Sequence, residues 1–372
     1  MDSVVELLQA LVRIPSVNPE GDPGASPRGE KNMAKFLASF LESIGMTVTL
    51  EEALPGRPNL IARAPGDESR PRILLGPHLD TVGVAGMTID PFAASISDGK
   101  IHGRGTSDTK GPMAAMLWGL KNNAQLLAEL PVAVDFVGFM GEESSQPGSR
   151  HFAKNHGHHY EFAIAGEPTS LEAVYCTKGC LWAVLEATGK ATHASQPHLG
   201  ENAITKLNRQ LARLDETFRS QLAEANHPVL GSSTLNIGMV SGGTRPNIVP
   251  AHASAHIDIR TVPDLVTSKP ASVLLREFLG EDIEITKTAE SPPMEMSPDH
   301  PWLSRIKNAH PDVVLTGAPW FSDAAHLSAA GLPSICLGPG SIDQAHTADE
   351  FIRISDLEDG AEWFTTLIAS LA

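Results

Sequence analysis

The sequence predicts a two-domain α/β protein: a domain with a mostly parallel central sheet flanked by helices, and a smaller α+β domain of the ferredoxin-like kind inserted into it. Three observations carry this expectation. The 372-residue length exceeds what one hydrophobic core comfortably serves. Apolar, β-branched runs alternate with helical patterns over residues 1–177 and again over 291–372, which is how βα units around a parallel sheet read. Over 178–290 the strands instead alternate apolar and polar residues, as strands with one exposed face do.

The elements follow in order. Residues 1–15 are apolar at helical spacing and stop at Pro15, and a Gly/Pro-rich loop follows over 19–28. "EKNMAKFLASFLESIGM" is helical by the spacing of Met33, Leu37, Phe40, Leu41 and Ile44. "TVTLEEA" and "PNLIARAPG" predict paired strands, and "PRILLGPHLDTV" a buried strand ending in polar residues. "DTKGPMAAMLWGLKNNAQLLAEL" predicts one long helix, with Asp108 or Thr109 suited to cap it. The strand "PVAVDFVGFM", a helix through about Ala153 and the strand "EFAIAG" complete this stretch.

In the insert, "KGCLWAVLEATGKATHAS", "STLNIGMVSGG", "AHASAHIDIRTV" and "DIEITKTA" predict four strands. The runs "GENAITKLNRQLARLDETFRSQLAEA" and "PASVLLREFLG" predict two helices on one face of their antiparallel sheet, a split βαβ arrangement. From 291 on the α/β texture returns, with helices over 300–309 and 322–330, strands "DVVLTG" and "PSICLG" and a last helix. Both ends of the chain thus build one domain.

Composition narrows the function classes. A net charge of −16 argues against nucleic acid or an anionic membrane as the main partner. The N-terminus carries Asp2 and Glu6 instead of a basic signal-peptide start, and no stretch approaches the roughly 20 apolar residues that cross a bilayer. A cytoplasmic location is the expectation. Three cysteines, Cys176, Cys180 and Cys336, are too few for a disulfide framework and sit in apolar context, so buried thiols are expected rather than metal ligands.

Polar clusters fall where strands emerge: "GPHLDTV" (His78, Asp80), "GEES" (Glu142, Glu143), "GEPTS" (Glu167) and "GPGSIDQAHTADEF" (His346). Asp108 lies in the Gly-rich turn "GRGTSDTKG" that opens a helix. Carboxyl ends of strands are where α/β proteins build sites, and His, Asp and Glu are the ligand types of a divalent metal. Each has a plainer alternative: a hydrogen-bonded core histidine for His78, a helix cap for Asp108, a turn residue for Glu167, an exposed loop histidine for His346. Five such coincidences in one domain favour a site. His78 and Asp80, two apart at a strand end, share a face, which suits a carboxylate orienting an imidazole whose other nitrogen holds a metal. Two histidines and three carboxylates exceed one catalytic zinc's usual ligands and fit two metals sharing a bridging carboxylate.

These motifs, in this order, resemble the signatures of the M20 metallopeptidase and deacylase family over about residues 13–351, and "CLGPGSIDQAHTADEF" most resembles its acetylornithine deacetylase branch, with the succinyl-diaminopimelate desuccinylases next. The resemblance implies an amidohydrolase of amino-acid biosynthesis with two Zn2+ per subunit, for which Co2+ or Mn2+ can substitute. By the same resemblance Asp108 bridges the metals, His78 and Glu167 complete one, and Glu143 and His346 the other. Asp80 supports His78, Glu142 is the general base, and the peptide bond after Asp108 is often cis. In the insert, "GKATHASQPHLGENAI" resembles a lid motif in which His193 stabilises the oxyanion, in family dimers from the partner subunit. Lys178, Asn247 ("SGGTRPNIVP") and Arg260 ("DIRTVP") stand at substrate-binding positions; Arg245 stands where relatives carry a smaller residue. A homodimer through the insert and a small N-acyl amino acid substrate are implied. A dipeptidase or carboxypeptidase of the same family is the alternative, since only recognition of the two sides of the amide differs.

The histidine-rich "NHGHHY" (155–160) reads as a solvated loop. "GRGTSDTKG" lacks the order of a phosphate-binding loop. Ser107 and Ser195 lack the context of a serine nucleophile.

Overall fold

The computed structural model describes residues 1–20, 29–281 and 283–372. The loop expected over 19–28 therefore lies, from residue 21 on, outside the described residues. The chain divides into two compact units. One comprises 1–175, 295–316 and 322–372; the other comprises 176–294 and 317–321.

The larger unit is built on a nine-stranded sheet. Seven of its strands run, in spatial order, Thr47–Leu54, Arg57–Arg63, Ala133–Gly138, Arg72–Pro77, Phe162–Gly166, Ser334–Cys336 and Ala173–Thr177. The middle four pair in parallel, whereas the pairings beyond them on both sides are antiparallel. The sheet is thus mixed around a parallel centre, more so than the mostly parallel sheet that the alternation of elements predicts. Thr47–Leu54 and Arg57–Arg63 are too close in sequence for the crossover that parallel pairing needs. Strands Arg72–Pro77, Ala133–Gly138 and Phe162–Gly166 are buried at every position, as the continuous apolar runs require.

Helix Lys110–Asn122 is shorter than the pattern over 108–130 predicts. It ends where Asn123 turns its amide back onto the carbonyls of Gly119 and Thr365, at 2.9 and 3.0 Å, a competition with the helix ladder typical of asparagine. The helix is buried on nearly all sides. At Gly119 it lies so close to the C-terminal helix Ile354–Ala369 that an added Cβ would sit 2.8 Å from Phe364 Cβ. Strands Ser95–Ser97, Lys100–His102 and Phe351–Arg353 form a small sheet that has no clear sequence pattern.

The smaller unit carries a four-stranded antiparallel sheet in the order Thr234–Gly242, His252–Thr261, Gly179–Thr188, Glu284–Ser291. That is the split βαβ order expected from the alternating strands. Its inward residues, including Leu181, Leu185, Ile257 and Ile259, pack on Leu207, Leu211 and Leu275 of helices Ala203–Arg213 and Ala271–Leu279. The helix predicted over 200–225 is broken by a π-turn at Leu214–Phe218 before Arg219–Glu224.

All three cysteines are buried and none is in a disulfide, as expected. The reading of "NHGHHY" as solvated holds for Asn155, His158 and His159. His156 lies 2.9 Å from Glu51 Oε2, and the buried Tyr160 donates to Asp135 at 3.0 Å.

Candidate metal centre and active site

His78 leaves the strand Arg72–Pro77 and continues it by a parallel bridge to Phe139. This bridge sets the histidine beside the chain entering "GEES". Gly141 then takes φ +77°, with Pro147 so close that a Cβ would meet its Cδ at 2.9 Å, a turn that glycine makes without steric cost. The two glutamates follow that turn.

His78 Nδ1 is 2.9 Å from the backbone carbonyl of Asp80 and 3.5 Å from its carboxylate. A carbonyl only accepts, so Nδ1 carries a proton, and Nε2 is the nitrogen turned towards Asp108. The Asp80 main chain is the nearer acceptor, and the carboxylate is the longer of the two contacts to the imidazole. That carboxylate accepts from Asn18 Nδ2 (2.7 Å), Glu142 N–H (3.0 Å) and Glu143 N–H (3.1 Å). Asp80 thus anchors the backbone of both glutamates. Burial opposes its ionisation, but His78 and these donors outweigh it and lower its pKa.

Asp108 does not cap the helix that follows it; Thr109 is the capping residue, and it makes no side-chain cap bond. The Asp108 carboxylate instead faces two histidines, His78 Nε2 at 3.0 Å from Oδ1 and His346 Nε2 at 3.3 Å from Oδ2. His346 Nε2 is also 3.1 Å from Glu143 Oε2, while Glu143 Oε1 accepts from the Val82 N–H at 3.1 Å. The peptide bond between Asp108 and Thr109 is cis. His346 sits at φ +62°, a left-handed conformation rare for a residue with a Cβ and found where the surroundings impose it.

Donor atoms of His78, Asp108 and Glu143 lie within 4.8 Å of one another. Tetrahedral zinc with ligands at about 2.0–2.1 Å separates them by roughly 3.3 Å, close to the 3.0–3.3 Å spacings seen here. Electrostatics points the same way. Burial raises Glu142 and Glu167 well above ordinary carboxylates, and each is raised further by neighbouring carboxylates. Glu143 is pushed up to about 7 by burial and by Asp108. His346 is raised to about 10 by hydrogen bonds to Asp108 and Glu143. For His78, burial works against protonation, but hydrogen bonds to Asp108 and Asp80 prevail and raise its pKa well above the usual value. Protons compensate a surplus of buried negative charge that cations would compensate equally well. The donor set fits divalent metal.

Glu167, directly after the strand Phe162–Gly166, is buried and feels the charge of His78 and Asp108, but its carboxylate is not among the three clustered donors. Lys178, His193, Asn247 and Arg260 belong to the smaller unit. There His193 is exposed, with Nδ1 2.7 Å from Ser195 Oγ, and the Asn247 carbonyl accepts from the Ala194 N–H at 3.1 Å. Arg260 grips Asp258 at 2.9 and 3.0 Å with its ring-facing side over Phe321, and Lys178 Nζ donates to the Ser232 carbonyl at 2.5 Å. Arg245 lines a cavity of about 560 Å3 together with Ala194, Ile204 and Ile248.

Sequence reasoning missed Glu350, although it lies in the same motif as His346. Its buried carboxylate accepts from the N–H groups of Gly105, Ser107 and Asp108 and from Arg104 at 2.8–3.0 Å, holding the turn that presents Asp108. Asn18, Gln146, Asp323 and His326 were also missed. None of these four carries a local signal.

Comparison with known proteins supplies the family. Residues 74–370 match the peptidase family M20/M25/M40. The chain is 31% identical to an acetylornithine deacetylase of Proteus mirabilis, covering 99% of this chain and 96% of that one. It is 30% identical to one from Vibrio cholerae, covering 96% of each. Among solved structures, an M20 family metallo-carboxypeptidase of Sulfolobus solfataricus superposes with a TM-score of 0.80 at 20% identity, covering 100% of this chain and 99% of that one. A dinuclear metal-binding M20 peptidase of Bacillus subtilis superposes at 0.65 with 16% identity, over 99% and 96%. The chain therefore belongs to peptidase family M20/M25/M40 and is a hydrolase of amide bonds.

Proposed function

We propose that the protein is a dinuclear, zinc-dependent amidohydrolase that removes the acyl group from an N-acyl amino acid, N-acetylornithine or a near analogue. The observation that carries this is the Asp108 carboxylate, whose two oxygens face two different histidines with Glu143 on the second. His78, Asp108, Glu143, Glu167 and His346 would hold the ions, with Asp108 shared; Co2+ and Mn2+ suit the same donors. When bound, two such ions lower the pKa of water and polarise the amide carbonyl.

The chain's own groups do the rest. Glu142 takes a proton from the attacking water and returns it to the leaving amine. Its burial, which favours the protonated carboxyl, suits a group that must hold that proton between the two steps. Asp80 keeps Glu142 and Glu143 in place through their backbone N–H groups. His193 stabilises the oxyanion, and Lys178, Asn247 and Arg260 contact the amino-acid carboxylate, Arg260 exchanging its grip on Asp258 for a bidentate one. The smaller unit serves as lid and dimerisation domain. Supporting this, its strand Thr234–Gly242 is a sheet edge with Met239 63% and Val240 60% exposed, the kind of patch that subunit pairing covers. Among the described residues no helix is long and apolar enough to cross a membrane, and a cytoplasmic homodimer is the reading we adopt.

The structural likeness to peptidases favours a second reading, a dipeptidase or carboxypeptidase with the same chemistry; a desuccinylase is the third. A panel of acetylated, succinylated and dipeptide substrates, assayed with Zn2+- or Co2+-loaded protein alongside metal analysis, separates them. Release of amine from none of them, with metal bound, overturns the enzyme assignment.

A further inference from the structure

Glu142 is the fourth residue before the helix-capping Gln146 and is bonded by it. Gln146 is fully buried, sits at φ +54°, and directs its side chain away from the helix Pro147–His156 that it precedes. Its Nε2 donates to Glu142 Oε1 at 2.9 Å. Its Oε1 lies 3.0 Å from Nε2 of His326, 180 residues away on helix Asp323–Ala329. Burial lowers the pKa of His326 to about 4, so the imidazole is neutral at working pH. These contacts assign the imidazole proton. The amide nitrogen faces Glu142 Oε1, and the amide oxygen, which only accepts, faces His326. The imidazole then carries its proton on Nε2.

We propose that His326 and Gln146 form a positioning relay for Glu142: His326 Nε2–H holds the Gln146 carbonyl, and the Gln146 amide holds Glu142 Oε1. The proposal rests on Glu142 being the general base. With Oε1 committed to the amide, Oε2 is left as the oxygen that receives and returns the proton. A buried carboxylate at a turn would otherwise be free to rotate about its terminal torsion, and a base out of line loses rate steeply. Successive amide and imidazole dipoles aligned in one direction also strengthen each other. Neither residue touches substrate or reacting atoms; both act through Glu142.

The test compares Gln146→Leu, His326→Leu and His326→Gln in the metal-loaded enzyme, with Glu142→Gln as control. Gln146→Leu should lower kcat by about 10–100-fold with KM and metal content unchanged. His326→Leu should lower kcat by a smaller factor, and His326→Gln, which restores an N–H donor at similar reach, should recover most of it. Independently of turnover, long-range 1H–15N NMR of the metal-free wild-type protein should show His326 as the neutral Nε2–H tautomer, with its resonances moved by Gln146→Leu. An Nδ1–H tautomer overturns the relay. So does unchanged kcat in Gln146→Leu when Glu142→Gln is inactive. Losses in both His326 variants alike, accompanied by lost metal, would mark a structural role and overturn it too. Full turnover in Glu142→Gln would instead remove the base itself, which is failure of the underlying assignment.

Discussion

Replacing Asp80 with Asn isolates what its carboxylate does, because the change keeps shape and removes one acceptor. Oδ1 faces the Glu142 N–H, and Oδ2 faces the Glu143 N–H and Asn18 Nδ2, all of them donors at 2.7–3.1 Å, with His78 Nδ1 farther from Oδ1 at 3.5 Å. An amide has one acceptor end and one donor end. In either orientation its NH2 must confront a buried donor. Placed at Oδ1 it strands the Glu142 N–H, and placed at Oδ2 it strands the Glu143 N–H and Asn18. Each stranded buried donor costs about 1–3 kcal/mol. The cheaper orientation therefore releases the Glu142 main chain, and the turn shifts.

Loss of such a supporting contact lowers metal affinity or activity by about 10–100-fold, equivalent to about 1.4–2.7 kcal/mol. The expected result for Asp80→Asn is a kcat reduced within that range even at saturating metal, because Glu142 is misplaced, together with weaker metal retention through Glu143. Kinetics over a buffered Zn2+ series, with metal measured after dialysis, reads both. If excess metal restores wild-type kcat, Asp80 acts only on the ligands. If neither quantity changes, anchoring of "GEES" through its N–H groups is wrong.

Three further outcomes follow from buried charges. Asp135 is held by Arg72 Nη1 at 2.8–2.9 Å, by the Ala64 N–H and by Tyr160 Oη at 3.0 Å; Asp135→Asn strands the Arg72 charge and should cost about 3–5 kcal/mol, whereas Tyr160→Phe should cost about 1.5–3 kcal/mol, both read from urea midpoints. Neither oxygen of the buried Asp323 carboxylate has a hydrogen-bond partner in standard geometry, though the Ser149 hydroxyl partly offsets the burial that pushes its pKa up to about 7. Its folded pKa is above the unfolded one, so metal-free protein should lose stability as pH rises from about 4 to 7, on the order of 4 kcal/mol. Asp323→Asn should melt higher than wild type at pH 7.5 and alike at pH 4; a lower melt at pH 7.5 refutes this. His326 is shifted the other way, down to about 4, so its contribution is complete above pH 6.5 and is lost as pH falls towards 4, on the order of 3 kcal/mol. His326→Leu should flatten the acid limb of the stability profile, and an unchanged limb counts against a neutral buried imidazole.

Much of this molecule is legible in the chain because burial leaves periodic marks. The strands Arg72–Pro77, Ala133–Gly138 and Phe162–Gly166 lie inside the apolar runs that predict them, and the alternating strands of the smaller unit emerge in split βαβ order. Helix ends are less legible. Nothing in the spacing of 108–130 reveals that Asn123 bonds Gly119 and Thr365 and stops the helix at Asn122. The small sheet of Ser95–Ser97, Lys100–His102 and Phe351–Arg353 is too short to show a period.

The sequence by itself determined which polar residues stand beyond strand ends, His78, Asp80, Glu142, Glu143, Glu167 and His346, and that Asp108 stands in the turn opening a helix. Position at a strand end is a local property, written in the apolar run before it. What each side chain bonds is not local. Only the tertiary structure decided that Asp80 offers His78 its carbonyl and gives its carboxylate to the glutamate backbone. It likewise decided that Asp108 faces two histidines instead of capping a helix, that Glu350 holds the turn presenting it, and that His326 reaches Glu142 through Gln146. Hydrogen bonds are satisfied by whatever donor the packed core brings within about 3 Å, and packing brings together residues that the chain keeps 180 positions apart.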